Sequence, residues 1–236
     1  MYHFLLLLLM LVSVPAAHAG NRETISFSMT TSGLGLGELT FDRVSNSNDY
    51  YLRVSVISRG ILGFITQAQF DARTVGKLDN SGRMQPETFH ALSESLFKSR
   101  TTDLSFRSGI PVTTRIKPQS ARTRLSDPNK LTGSYTDSLT ALALIATTTP
   151  PDCPPEIRIY DGRRIVLIRL APAATFSPGL LRCQGSYRIV DGPDHTLLPG
   201  QKTFALTLDY SLAGTTADLI GATITTSHNS MILTRE

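Results

Sequence analysis

The sequence has few of the residues on which enzymes and metal sites usually depend. Among 236 residues there are two cysteines, five histidines and no tryptophan. Beyond the N-terminal segment the histidines are His90, His195 and His228, which are far apart and lie in no recognisable motif. The G-x-S-x-G elbow of serine hydrolases and the H-E-x-x-H motif of zinc proteases are both absent. We therefore expect a protein that is not an enzyme and that has no cofactor or bound metal.

A long apolar run is also absent, except at the N-terminus. Residues 4–14 are apolar apart from Ser13, and Pro15 and the small-x-small triplet Ala17-His18-Ala19 follow them. The run has the length of a signal-peptide core, about 7–15 residues, and is shorter than the roughly 20 residues of a membrane span. The sequence therefore predicts a cleaved signal peptide over residues 1–19, a single domain over residues 20–236 and export to the periplasm.

Charge is sparse and slightly positive, with 23 Lys and Arg against 19 Asp and Glu. The arginines are scattered, and no arginine–aromatic stripe of a nucleic-acid interface is present. Export would also separate the protein from nucleic acid, so we expect no such partner. The positive excess fits either an ordinary solvated surface or attraction to anionic envelope material such as lipid headgroups.

The two cysteines are Cys153 and Cys183. In an oxidising compartment, a lone pair most simply forms one disulfide. A bridge that closes a loop of about thirty residues stabilises the fold by roughly 3–4 kcal/mol, chiefly by restricting the unfolded chain. The chain has no C-x-x-C motif, and neither cysteine has a histidine at ligand spacing. We therefore predict a structural bridge rather than a redox or metal site.

Short alternating segments separated by turn residues make up most of the chain. Ile25, Phe27 and Met29 alternate with polar residues, and polar clusters at residues 45–49 and 79–82 separate later segments of the same kind. Segments at this even spacing are typical of an antiparallel meander or barrel. The predicted fold class is mainly β, a strongly curved antiparallel sheet that forms an open or closed barrel.

One segment has helical spacing. Leu139 and Leu142 belong to an apolar stretch, and Thr136 or Asp137 can cap its N-terminus. The sequence predicts a short helix over about residues 137–146. Because the segment is apolar nearly all round, we expect the helix to be buried against or inside the curved sheet.

A hairpin is predicted between the two cysteines, with Asp161 and Gly162 at its centre. Asp-Gly suits a tight two-residue turn in which both central residues have φ > 0. Arg163 and Arg164 follow, and neighbouring strand positions face opposite sides, so one arginine should point inward. An inward arginine could hold an anionic headgroup, whereas the alternative is an ion pair with Asp161 or Asp152.

Five apolar side chains could line a ligand cavity or fill a core, and both interpretations stay open. They are Phe27, Phe41, Phe70, Leu139 and Leu142. Together with Arg163 and Arg164 they are the candidate ligand contacts.

The segment from Asp137 to Arg188 also carries a family pattern. Asp-Ser-Leu-Thr-Ala-Leu is followed by a cysteine, by Ile-Tyr-Asp-Gly-Arg-Arg and by a second cysteine before a glycine. In this order the chain resembles exported bacterial proteins of the domain-of-unknown-function 3108 family. The resemblance implies a curved antiparallel sheet similar to that of periplasmic lipoprotein carriers, which hold acyl chains in a half-barrel closed by helices. The family has no established activity, and the similarity to the carriers is of fold only, which does not determine function.

Two functional hypotheses from different classes remain. In the first, a non-enzymatic periplasmic protein binds a lipid or another apolar or amphiphilic envelope ligand in the concavity of its sheet. In the second, an envelope structural or interaction protein has a packed interior, binds no ligand and acts through its surface.

Overall fold

The computed structural model of the protein describes residues 21–59, 68–96, 98–150, 152–173, 178–195 and 200–236. The predicted signal peptide lies outside these residues. No helix in the described part of the chain is long and apolar enough to cross a membrane.

Strands dominate the described residues, together with one α-helix and three short 3-10 helices. The strands are β1 (Asn21–Thr31), β2 (Leu34–Ser45), β3 (Asp49–Ser58), β4 (Gln69–Leu78), β5 (Met84–Ser95), β6 (Lys98–Arg107), β7 (Ile110–Lys117), β8 (Thr147–Thr148), β9 (Ile157–Tyr160), β10 (Ile165–Pro172), β11 (Leu180–Asp191), β12 (Thr203–Ala213), β13 (Thr216–Thr225) and β14 (Ser230–Arg235). The α-helix is α1 (Ser138–Ala146), and the 3-10 helices are Gln119–Ala121, Arg124–Ser126 and Pro128–Lys130.

All fourteen strands belong to one antiparallel sheet. Its order is β7-β6-β5-β4-β3-β2-β1-β14-β13-β12-β11-β10-β9, and β8 pairs with β13 beside this path. The chain thus forms two meanders that join where β1 pairs with β14. The mainly β prediction is confirmed. The prediction allowed an open or a closed barrel. The sheet is open, because no backbone ladder joins the edge strands β7 and β9 in the described residues.

Side chains and an irregular segment connect these two edges. The hydroxyl of Tyr160 on β9 donates to the carbonyl of Leu125 and accepts from Thr114 on β7, at 2.6 and 2.9 Å. The backbone N–H of Thr136 donates to Arg158 of β9 at 2.8 Å, and that of Tyr135 to Gly109 in the β6–β7 turn at 2.7 Å. Residues 118–137 therefore occupy the seam that a closed barrel would fill with a ladder.

The period-two pattern separates a buried face from a charged face across β1 to β7. One row of cross-strand partners is buried in every strand: Ile25, Phe41, Val54, Ala72, Ala91, Thr102 and Ile116. The row shifted by one residue is polar throughout: Thr24, Asp42, Arg53, Arg73, His90, Asp103 and Arg115. A register slip of one residue would exchange the two rows, so the core fixes the register.

The α-helix lies against the inner face of the sheet, where it contacts β3, β4, β8, β9 and β13. Its bounds match the predicted ones, and Asp137 is the cap: its Oδ1 accepts from the N–H groups of Leu139 and Thr140. Thr74 donates to the same oxygen at 2.7 Å, and Tyr210 donates to the carbonyl of Ile145 at 2.9 Å. Polar bonds therefore anchor both ends of a helix that is otherwise apolar.

The disulfide between Cys153 and Cys183 is present, with a Cα–Cα distance of 5.8 Å. Cys183 is fully buried on β11, and Cys153 packs against the core from the segment that follows α1. The predicted bridge is confirmed, and its structural role stays a prediction. A disulfide is typical of proteins in an oxidising, extracytoplasmic environment.

The predicted hairpin is present, but its turn is centred one residue later than expected. Tyr160 pairs with Ile165, and Asp161 lies opposite Arg164, so Gly162 and Arg163 are the central residues. Only Gly162 has a positive φ, at +88°. The prediction of Asp161 as a central residue was wrong, because its carboxylate accepts from the N–H groups of Arg163 and Arg164 and so caps the turn from the flank.

Candidate functional site

A cavity of about 260 Å³ lies between α1 and the strands β9 to β11. Its lining is mostly apolar and comprises Ala141, Leu142, Ile145, Ile159, Val166 and Ile168, with Ser138, Asp161 and Tyr187 as the polar members. Ligand sites are typically concave, largely apolar and equipped with a few convergent polar groups, so this cavity is the candidate site.

Sequence periodicity explains why these side chains meet. Ser138, Ala141, Leu142 and Ile145 are spaced i, i+3, i+4 and i+7, so they form one stripe along α1. The opposite side of the helix packs into the core through residues such as Leu139. One side of the helix therefore fills the core. The other borders the cavity, and there Ala141 and Ile145 are also buried members of the core.

The strands contribute one face of their pleat. Val166 and Ile168 alternate on β10, and Ile159 on β9 is the cross-strand partner of Val166. Tyr187 on β11 is likewise the partner of Ile168. The cavity wall thus continues across three strands, and Tyr187 is its member on β11.

A chain of hydrogen bonds fixes the polar end of the cavity. Arg164 donates from Nε to Oδ2 of Asp161 at 2.7 Å, and its Nη1 lies 2.8 Å from Nδ1 of His195. Nε2 of His195 lies 3.2 Å from the hydroxyl of Tyr187. The rings of Tyr187, His195 and Phe204 also pack together with centroids 5.5–5.7 Å apart. We call Asp161, Arg164, His195 and Tyr187 the polar chain.

Burial shifts the pKa values of two members of the polar chain, Tyr187 and His195. It raises the pKa of Tyr187 to about 12, so the phenol keeps its proton at physiological pH. Burial, followed by the positive charge of Arg164, lowers the pKa of His195 below its ordinary value, which favours the neutral imidazole. The side chains of Arg164 and Asp161 are only 12% and 22% exposed, so their charges neutralise each other away from bulk water.

The predicted apolar contacts divide between the cavity and the core. Leu142 lines the cavity, whereas Phe27, Phe41 and Leu139 are fully buried in the core. Phe70 is half-buried and packs against that core, away from the cavity. These four side chains therefore fill the core, which is one of the two interpretations that the sequence left open.

The two predicted arginines lie in the turn and not on a strand, so strand alternation does not determine where they point. Arg164 pairs with Asp161 as part of the polar chain. Arg163 is not part of the polar chain. Burial, and then the positive charges of Arg100 and Arg164, lower the pKa of Arg163. Its Nε is buried and has no hydrogen-bond acceptor among the described residues. Neither arginine lines the cavity.

Several lining residues were not predicted from the sequence. Val166 and Ile168 follow Ile165 in an apolar strand whose alternation could have identified them, and Ser138 follows from the helical spacing of α1. His195 belongs to the polar chain and not to the cavity lining. It could not be found in this way, because it follows an irregular turn and meets Arg164 only through the folding of β10 against β11.

A second cavity of about 260 Å³ includes charged residues of the outer face, among them Arg73, His90 and Asp103. Nδ1 of His90 lies 2.7 Å from Oδ1 of Asp103, and Thr88 lines the same cavity. A hydrolytic triad would also need a hydrogen bond from the other ring nitrogen to a hydroxyl. In the described residues His90 makes no such bond.

Comparison with known proteins identifies a similar fold but no related activity. No family model matches the chain, and no curated protein is significantly similar to it. The chain is similar in fold to the crystal structure of a beta-barrel-like protein of the domain of unknown function DUF1849 from Brucella abortus. The TM-score is 0.53 at 11% identity, with 92% of this chain and 96% of the other covered. At this identity the likeness shows a shared β-barrel-like fold alone.

Proposed function

We propose that this is an exported, non-enzymatic protein of the cell envelope that binds an apolar or amphiphilic ligand in the cavity between α1 and β9 to β11. The observation that carries the proposal is the cavity itself, which six apolar side chains line together with Ser138, Asp161 and Tyr187. An apolar body with a small polar end matches this lining.

The size of the cavity limits the ligand. An apolar cavity of roughly 150 Å³ in another protein binds benzene, so a volume of about 260 Å³ accommodates a ligand of roughly ten carbon atoms by proportion. Each buried methylene contributes about 0.8 kcal/mol, so affinity within a homologous series should rise about fourfold per added carbon until the cavity is full.

Export supports an envelope ligand. The N-terminal sequence suits a signal peptide, and the Cys153–Cys183 disulfide suits an oxidising compartment. The resemblance to the domain-of-unknown-function 3108 family, whose members are exported, belongs to the same proposal. Periplasmic carriers of lipoproteins offer a precedent for amphiphile binding inside a curved sheet, by analogy of fold.

The proposal is tested by identifying what the protein carries after purification from the periplasm. Native mass spectrometry and organic extraction should reveal one small amphiphile per chain. Leu142→Trp should remove it by filling the cavity. Leu144→Trp is the matched control, because Leu144 is a half-buried leucine on the same helix that does not line the cavity.

The absence of any bound molecule from the unmodified protein, together with failure of added amphiphiles to bind, would overturn the proposal. That outcome would favour the alternative, an envelope structural or interaction protein. The fully buried Phe27, Phe41 and Leu139 are compatible with it, because most of the interior that they occupy is packed.

A further inference from the structure

The polar chain has a direction that the hydrogen-bonding groups themselves impose. A guanidinium only donates, so Nδ1 of His195 must accept from Arg164. A neutral imidazole that accepts at Nδ1 carries its proton on Nε2, and this proton is therefore donated to the oxygen of Tyr187. The sequence of donors runs from Arg164 through His195 to Tyr187.

Tyr187 is consequently left with an unused O–H donor. Its oxygen accepts from His195, and in the described part of the chain its own proton has no acceptor. The ring is held by Phe204 and His195, and the residue lines the cavity. A hydroxyl whose oxygen accepts one hydrogen bond becomes a stronger donor of its own proton, because hydrogen bonds in a chain polarise one another.

The charge balance of the site disfavours an anionic ligand. Asp161 is the one charged residue among those that line the cavity in the described structure. The nearby positive charge, on Arg164, is neutralised by Asp161. A carboxylate or phosphate in the cavity would therefore find no unpaired cation among the described lining residues.

We infer that the ligand is an uncharged amphiphile with a carbonyl or ether oxygen, such as an ester, and that the O–H of Tyr187 donates to this oxygen. The inference rests on the proposed function, since it assigns a ligand class to the same cavity. Tyr187 is then the specificity-determining residue, and Arg164 and His195 position its hydroxyl.

Three probes of similar shape separate the possibilities: propylbenzene, methyl benzoate and benzoate. Isothermal titration should show that the ester binds about two- to tenfold more tightly than the hydrocarbon, the range for one hydrogen bond, and that benzoate binds most weakly. Tyr187→Phe should abolish the preference, so that the ester binds no more tightly than propylbenzene to this variant. Tyr51→Phe, which alters an exposed tyrosine on β3, should change neither affinity.

The outcomes distinguish this inference from the function on which it rests. If no probe binds, the proposed function is wrong. If propylbenzene binds and the ester binds no better, or if Tyr187→Phe keeps the preference, the cavity binds ligands but Tyr187 does not select them. Tightest binding by benzoate would overturn the uncharged ligand class.

Discussion

The hydroxyl of Tyr50 on β3 lies directly over Gly76, its cross-strand partner on β4. A Cβ added to Gly76 would be 2.5 Å from that hydroxyl and would also collide with the carbonyl oxygen of Gln85. The same hydroxyl lies 3.0 Å from Oγ1 of Thr140 on α1. The absence of a side chain at Gly76 therefore permits the bond that joins β3 to the helix.

Replacing Gly76 with alanine should destabilise the fold by about 1–3 kcal/mol, the usual cost of overpacking a core. Gly35→Ala is the control: Gly35 is also a strand glycine, and an added Cβ would meet nothing within 4 Å. Urea unfolding of both variants measures the difference. Equal stabilities would show that Tyr50 can move aside at no cost.

Asp137 should make the stability depend on pH. Burial raises the pKa of Asp137 above its ordinary value of 3.8, although Thr140 and Thr74 donate hydrogen bonds to its carboxylate. A group whose pKa is raised on folding stabilises the fold below its unfolded pKa, and that contribution is lost as the pH rises through the folded pKa.

The unmodified protein should therefore lose stability relative to Asp137→Asn as the pH rises above about 4. Asp137→Ala should be less stable than Asp137→Asn by about 1–2 kcal/mol, because it also loses the helix cap. Denaturation curves at a series of pH values test both points. Parallel pH profiles for the unmodified protein and Asp137→Asn would contradict the buried-carboxylate account.

The disulfide should contribute to stability and not to a specific chemistry. It closes a loop with a sequence separation of 30, so reduction or a Cys153→Ser substitution should lower stability by about 3–4 kcal/mol. Cys183→Ser and the double variant should give similar values, because each removes the same bridge. Thermal unfolding with and without reductant measures the effect. An unchanged midpoint would show that the bridge does not stabilise the fold.

Asp161 should determine the charge preference of the cavity. Asp161→Asn retains a side-chain oxygen that can cap the turn but leaves Arg164 without a counter-ion. We therefore expect benzoate to bind several-fold more tightly to this variant than to the unmodified protein. Asp191→Asn makes the same change in net charge and frees Arg124 at an exposed site instead. If both variants respond alike in titrations, net charge and not the polar chain sets the preference.

Local features of the fold could be predicted from the sequence because neighbouring residues determine them. Alternation identifies strands such as Ile25–Met29, and the capped apolar stretch identifies α1. The disulfide was predicted from a lone cysteine pair and the expectation of export. In the hairpin, local reasoning was one residue in error, since the flanking capping role of Asp161 competes with a central position in the turn.

The site could be predicted only in part because it depends on distant pairings. Leu142 was identified from helical spacing, but the strands that face it could not be assigned to it from sequence. The polar chain joins residues 161 and 164 of one turn to Tyr187 and His195, which are brought near by the pairing of β10 with β11. The contact of β1 with β14, which joins the two ends of the chain, is similarly invisible to local patterns.

The most direct test of ligand binding in the cavity is a titration of methyl benzoate into the unmodified protein and the two tryptophan variants of α1. We predict saturable binding of one molecule per chain to the unmodified protein and to Leu144→Trp, and loss of binding in Leu142→Trp, whose side chain fills the cavity. No binding to the unmodified protein, or equal affinity in both variants, would contradict the account.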